Sequence, residues 1–480
     1  MSCLLSMINL PFIGEVDLQG SVLLIFFLCL LCVVGFEFVN GFHDTANAVA
    51  TVIYTKALKP MVAVPWSGFC NFMGVFTGGV AVAMGILKLV PLNDLMALPV
   101  SVGAAMVLSV LLASIIWNLG TWYLGIPCSS SHTLIGAMIG AGLGFTFYYH
   151  GAGVNWGKAG EIGLSLILSP ALGFGVAVGL MLFLRHVVKA KSLFHIPQGE
   201  NDRPPILIRL LLITTCTLVS FFHGSNDGQK GVGLLMLILI AFLPAKFALD
   251  PSVPTDKVAS FLAPTQQVIQ RAIAANPDAK PTLDSLSNSI ADASAGVYGA
   301  AKSYPHGSVD HKLVYEYRKK IQAAAKALSA LAANGKVQIP DADKATLKKA
   351  SSSLGKLTDY APIWVIATIS ISLGIGTMIG WKRIVTTIGE KIGKEHLNYA
   401  QGATAEITAA SMIGLATASG LPVSTTHVLS SGIAGAMVAS GGTSNLNSGT
   451  LRNIALAWVL TLPVSIILSL GLFFLFHLFV

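Results

Sequence analysis

Ten apolar runs, most of them near or above the roughly 20 residues that a helix needs to cross a bilayer, leave this chain few folds to choose from. They fall at 20–55, 60–87, 96–124, 131–149, 162–184, 205–244, 360–381, 399–419, 425–440 and 453–479. In lipid, backbone N–H and C=O groups must be satisfied inside the spanning element, so such runs fold as helices. Only 11% of the 480 residues are charged and the mean hydropathy is +0.72, against about 25% charged in a soluble domain. That balance excludes an ordinary soluble enzyme, a disordered chain and a nucleic-acid binder. No Lys or Arg precedes Lys56, so the first run lacks the basic start of a cleaved signal and reads as a retained helix.

Charge gathers in one place. Residues 246–357 hold 15 of the 30 Lys/Arg and 9 of the 22 Asp/Glu. The expected organisation is a first membrane repeat over 1–184, a cytoplasmic connecting loop over 185–204 and a second repeat beginning at 205–245. A polar extramembrane insert follows over 246–357, and the second repeat resumes over 358–480. Within the insert, 309–333 and 341–356 read as helices. Lys56 and Lys59, then Arg185, Lys189, Lys191 and Arg203, then Lys382, Arg383, Lys391 and Lys394 lie in loops on one side if every run crosses once. The positive-inside rule makes that side cytoplasmic and puts the N-terminus and the insert outside. Cys3, Cys29, Cys32, Cys70, Cys128 and Cys216 read as free thiols. The CxxC of Cys29 and Cys32 lies in an unbroken apolar run without a nearby His, so helix packing explains it.

Two motifs recur. GFHDTANA at 41–48 matches GSNDGQKG at 224–231, aligning Asp44 with Asp227 at an offset of 183. GIPCSSSHTL at 125–134 matches GLPVSTTHVL at 420–429, aligning Ser129 with Ser424 at an offset of 295. The two offsets differ by the length of the polar insert, so removing it brings the halves into one register. Five runs per half is an odd number, so the second half enters the membrane inverted. The parity survives if the runs flanking each Ser-rich motif form a re-entrant hairpin. The expected fold is therefore an all-α polytopic membrane protein, an inverted-repeat secondary transporter with broken helices and one helical soluble insert.

Asp44 and Asp227 are costly inside a membrane and mark a functional site. Each sits beside Gly and Asn, which predicts a helix break exposing backbone groups to ions. The Pro–Ser/Thr motifs predict capped helix starts whose free N–H groups, positive dipole ends and hydroxyls suit a tetrahedral oxyanion. Two such tips could enclose one anion. His132 and His427 end the motifs and either orient hydroxyls or satisfy local backbone. His43 and His223 precede the carboxylates, as proton relays or structural hydrogen-bond partners. Glu37 and Glu406 lie in apolar context, and their repeat positions are Ser220 and Leu111. Lys230 occupies the repeat position of Asn47, one helical turn from Asp227, where it either supplies a fixed cation or snorkels to an interface. Adjacent Ser131 and His132, with no third group evident, leave an intramembrane hydrolase as a remote alternative.

The motifs resemble the inorganic phosphate transporter (Pit) family, whose signature is a repeated GANDVANA-like sequence. FVNGFHDTANAVATVIYTKA and FFHGSNDGQKGVG are similar to its bacterial low-affinity branch. The resemblance covers both membrane halves and implies no enzyme activity and no cofactor. It implies phosphate binding at Ser129, Ser130, Ser131, Ser424, Thr425 and Thr426. It also implies cation sites at Asp44, Asn47, Asn226 and Asp227, and the residues themselves add Lys230 and His43 to the cation or proton coupling, with His132, His427 and Thr45 in support. Two departures from the family pattern stand out. His43 replaces the Asn of GAND in the first copy, and Lys230 replaces the second Asn in the second copy. They weaken two sodium sites and fit proton symport of phosphate, free or as a neutral divalent-metal complex. Sodium coupling, or another oxyanion such as sulfate, is the alternative. The implied setting is the lipid bilayer of a bacterial inner membrane, with a homodimer as an open arrangement.

Overall fold

The computed structural model describes residues 8–16, 18, 20–90, 95, 98–150, 153–198, 202–303, 311–334 and 337–479. Cys3, residues 96–97 of the third apolar run and residues 309–310 of the insert lie outside them. Each apolar run is helical. The first half carries α1 (Gly20–Asp44), α2 (Ala46–Tyr54), α3 (Pro60–Thr77), α4 (Ala81–Leu87), α5 (Val100–Tyr123), α6 (Ser130–Tyr149) and α7 (Trp156–Val187), and α8 (Ile206–Phe242) opens the second. The polar segment folds as α9 (Thr255–Ala275), α10 (Lys280–Ser303), α11 (His311–Ala333) and α12 (Asp341–Thr358). Then come α13 (Ile363–Thr377), α14 (Tyr399–Ala418), α15 (Thr425–Gly441) and α16 (Ser448–His477). Among the described residues, five helices, counting Gly20–Tyr54 as one, are long and apolar enough to cross a membrane, and α3 with α4 forms a pair bent by 72°.

Two expectations need correction. The chain is not wholly helical, because Ile8–Leu10 pairs antiparallel with Gly14–Val16, Asn9 opposite Glu15. No helix break occurs at Asp227, since α8 runs unbroken through it. Gly224 and Gly228 there serve close packing instead. At Asp44 the interruption is a single residue, and Thr45 keeps right-handed helical angles (φ −52°, ψ −38°). The insert is helical as expected, and α9 and α10 add to the two helices named from its sequence. Their apolar positions, among them Val258, Leu262, Ile269, Leu283 and Ile290, are spaced along polar helices and bury into one core.

The chain divides into two compact units. The first comprises 1–18, 92–103 and 236–360, and α9 to α12 pack as neighbours around Ile269, Ile290, Ile321, Leu328, Leu347 and Leu354. The two ends of the polar insert are tied together. Asp250 N–H donates to Leu357 O at 2.8 Å, and the Tyr360 hydroxyl donates to Leu249 O at 3.1 Å. Buried Arg318 donates to Ala248 O.

The second unit, 19–91, 104–235 and 361–480, carries the membrane helices. Its halves exchange partners: α1 packs on α13, α6 on α16 and α7 on α15. Glycines at repeat-related positions make these crossings, and that of α3 with α8, close. A Cβ on Gly41 would lie 2.5 Å from Leu373 O, and one on Gly224 would lie 2.2 Å from Asn71 O. The same holds for Gly140 against Ile466 O (2.2 Å) and Gly435 against Phe174 O (2.5 Å). Gly41 and Gly224 are separated by the offset of the Asp motifs, and Gly140 and Gly435 by that of the Ser/Thr motifs. Small residues at such crossings let helix backbones approach where lipid offers no hydrophobic drive.

Candidate functional site

The two Ser/Thr motifs build matching helix starts. Ser129 and Ser424 are extended (φ −97° and −89°), and each side chain accepts the backbone N–H three residues on, from His132 and His427, at 3.2 Å. The first hydroxyl of each motif is thus an N-cap, and Ser129 Oγ also meets His132 Nδ1 at 2.8 Å. One later hydroxyl of each motif points inward. Ser130 Oγ donates to Asp44 Oδ2 at 2.8 Å and lies 3.4 Å from Asp227 Oδ2. Thr426 Oγ1 donates to Asp44 Oδ1 at 2.6 Å. Asn47 Nδ2 reaches Asp44 Oδ1 and Thr426 Oγ1, both at 3.0 Å, and Thr425 Oγ1 at 3.5 Å.

Asp44 therefore sits between the N-termini of α6 and α15. Asp227 faces it from α8. Lys230 is wholly buried, its Nζ 2.8 Å from Asp227 Oδ2 and bonded to Ser131 Oγ, which in turn donates to Val423 O at 2.7 Å. Snorkelling is excluded by that burial. His223 Nε2 approaches Asp44 Oδ2 (3.6 Å) and Asp227 Oδ2 (3.7 Å), while its Nδ1 meets Asn71 Oδ1 at 2.8 Å. His43 Nδ1 is 3.8 Å from Asp44 Oδ1, and its Nε2 lies 3.2 Å from Thr121 Oγ1 and 3.7 Å from Cys128 Sγ.

Two carboxylates thus face one ammonium and two helix ends of about half a positive charge each, which roughly balance. Asp44, His223 and Asp227 each offer one metal-competent atom, all within 4.8 Å. Asp227 Oδ1, Asn47 Oδ1, His223 Nε2 and His43 Nδ1 are buried without a hydrogen-bond partner among the described residues. Such groups are costly unless something fills the site.

A phosphate transporter family model matches residues 40–469, a stretch that begins just before the first Asp motif and runs past the second Ser/Thr tip. The chain belongs to the phosphate transporter family. It is similar to the low-affinity inorganic phosphate transporter PitA of Escherichia coli K12, 40% identical over 96% of this chain and 97% of that one. Similarity to PitB of the same organism is 41% over 97% and 99%. A solved structure titled the sodium-dependent phosphate transporter matches with a TM-score of 0.53 and 21% identity, covering 95% of this chain and 100% of that one, which shows a shared fold. This member of the phosphate transporter family is a multi-pass membrane protein and belongs with transporters, not enzymes.

Several residues of the family motifs lie elsewhere than expected. Thr45 donates to Gly41 O (2.6 Å) and Thr377 O (2.8 Å), so it ties α1 to α13 and not to the cluster. Asn226 holds the second tip: its Nδ2 donates to Thr417 Oγ1 and Leu421 O, and its Oδ1 accepts from Val423 N–H. Ser129 and Ser424 each accept a backbone N–H as helix caps, and neither is shown bonded to Asp44 or Asp227. His132 and His427 meet at a tilt with ring centres 4.4 Å apart, and His427 stacks on Trp458 at 3.9 Å. Residues that the motifs did not flag as a set, Asn71, Thr121 and Cys128, join the wall. Cys128 lies inside the first tip motif, a signal that was there to read. Glu37 accepts from Asn40 Nδ2 at 3.1 Å within electrostatic reach of Asp227 and Lys230. Glu406 is capped by Thr51 and Thr215.

Proposed function

We propose that this chain imports inorganic phosphate across a bacterial inner membrane by proton symport, as an inverted-repeat secondary transporter. Its relatives at 40–41% identity, low-affinity inorganic phosphate transporters, support the substrate. The exchanged helix partners and glycines at both motif offsets support the repeat. One observation carries the mechanism: hydroxyls from both tips, Ser130 and Thr426, donate to the same carboxylate, Asp44. That carboxylate holds the place of an anion between two helix N-termini. An arriving phosphate replaces its oxygens on the hydroxyls and N–H groups, and the displaced carboxylate then requires a positive charge. A proton supplies it, so phosphate and proton move together.

Lys230 favours the proton over sodium. Its ammonium, 2.8 Å from Asp227, already holds the charge that a bound sodium would bring to the second carboxylate. A second reading rests on Asp44, His223 and Asp227, whose ligand atoms could hold the metal of a divalent metal–phosphate complex as cargo. The test is labelled phosphate uptake into proteoliposomes under a pH gradient, a sodium gradient and neither, with sulfate as competitor. Uptake should follow the pH gradient and ignore sodium and sulfate. Uptake driven by sodium alone would overturn proton coupling, and efficient sulfate transport would overturn the substrate.

A further inference from the structure

A cavity of about 650 Å³ lies where α5 ends beside the turn that follows α13. Trp122, Tyr123, Gly125, Trp381, Lys382, Arg383 and Lys391 line it together with Thr386 and Thr387. We propose that it seats the headgroup of an anionic phospholipid.

The charge is one-sided. Three cations line the cavity and no carboxylate does. Lys382 and Lys391 take part in no ion pair among the described residues. Arg383 is held in place: it donates to Tyr123 O at 2.6 Å, and its guanidinium lies 5.1 Å from the Trp122 ring centre and 4.9 Å from that of Tyr123. An arginine fixed over aromatic faces is set to receive a phosphate without losing much freedom. The wall is equally fixed, since Trp122 Nε1 donates to Gly380 O at 2.7 Å. The Thr387 hydroxyl is spent on Gly125 O and that of Thr386 on Lys382 O. The cations are therefore what remains for an incoming anion.

The surroundings favour a lipid over a free ion. Two tryptophans and a tyrosine at the end of a membrane helix mark the headgroup level. Tyr123 and Leu124, 66% and 69% exposed, stand where acyl chains would begin. Trp122, Trp381 and Tyr123 offer apolar area that phosphate alone would leave uncovered. The basic residues place this end at the cytoplasmic face, whose leaflet carries the anionic lipids.

The full-length protein, purified with phosphatidylglycerol or phosphatidylcholine, can be measured by native mass spectrometry for retained lipid, with and without 10-fold excess inorganic phosphate. Phosphatidylglycerol should be retained in preference to phosphatidylcholine and resist inorganic phosphate. Each cation removed should weaken retention about fivefold, so Lys382→Gln with Lys391→Gln should cost about 25-fold. Lys391→Gln alone, at an exposed position, gives the fivefold reading if the double variant fails to fold. Equal retention of both lipids, or variants that hold phosphatidylglycerol like the parent, would overturn the proposal. Displacement by inorganic phosphate would reassign the cavity to the free ion and overturn it as well.

Discussion

Replacing Lys230 with Met removes the ammonium and keeps most of the side-chain volume. Asp227 would then keep only Ser130 at 3.4 Å and His223 at 3.7 Å near its Oδ2. Both partners of the pair are wholly buried. Breaking a buried pair from one side costs about 3–5 kcal/mol. Unfolding entropy of about 2.1 cal/mol/K per residue over a chain of this length turns each kcal/mol into about 1 °C. Purified Lys230→Met should therefore melt about 3–5 °C below the parent and lose phosphate uptake. Asp227→Asn should also be inactive. The double variant leaves neither charge behind and should recover most of the melting temperature without recovering transport. The coupling energy from the four proteins should be at least about 2 kcal/mol. Additive losses, or a Lys230→Met protein as stable and active as the parent, would show that the pair does not hold the site together.

Two further outcomes follow from close contacts and from the tips. Gly74→Ala and Gly224→Ala place a Cβ 2.0 Å from Phe221 O and 2.2 Å from Asn71 O, backbone atoms that cannot turn aside, so α3 and α8 must separate. Both variants should lose folded protein in gel-filtration and melting assays, whereas Gly120→Ala and Gly471→Ala, with nothing within 4 Å, should behave like the parent. Ser129→Ala and Ser424→Ala remove caps and should each cost about 1 kcal/mol in stability with little change in half-saturation. Ser130→Ala and Thr426→Val remove donors to a charged group, about 1.5–3 kcal/mol each, and should shift half-saturation for phosphate roughly tenfold or more.

The helices of the membrane halves were legible because apolar run length is a local property, and so were the paired motifs, because an offset survives any folding. Ser129 and Ser424 were legible as helix starts from Pro and Ser alone. Which hydroxyl caps and which points inward was not, since that depends on the turn geometry one residue further on. The role of Asn226 depended on where Thr417, Leu421 and Val423 come to rest, far along the chain and beyond the polar insert. Helix breaks at the Asp residues were inferred from neighbouring Gly and Asn. Gly224 instead serves a close crossing with α3, a use that looks identical in sequence. Helices α9 and α10 escaped because their apolar residues are scattered among polar ones and Pro264 interrupts the pattern.

The exchanged partners of the two halves also set a timetable for biosynthesis. Gly41 of α1 finds its counterpart at Leu373, and Thr45 just after it finds Thr377 O across a separation of 332 residues. At about 5–20 residues per second, α1 waits roughly 15–70 s with its small-residue face bare and Asp44 without the Thr426 that will bond it. Through that interval the early helices must be held by the insertion machinery or by provisional neighbours. The cell must therefore handle the first half as an unfinished client until the last helix arrives.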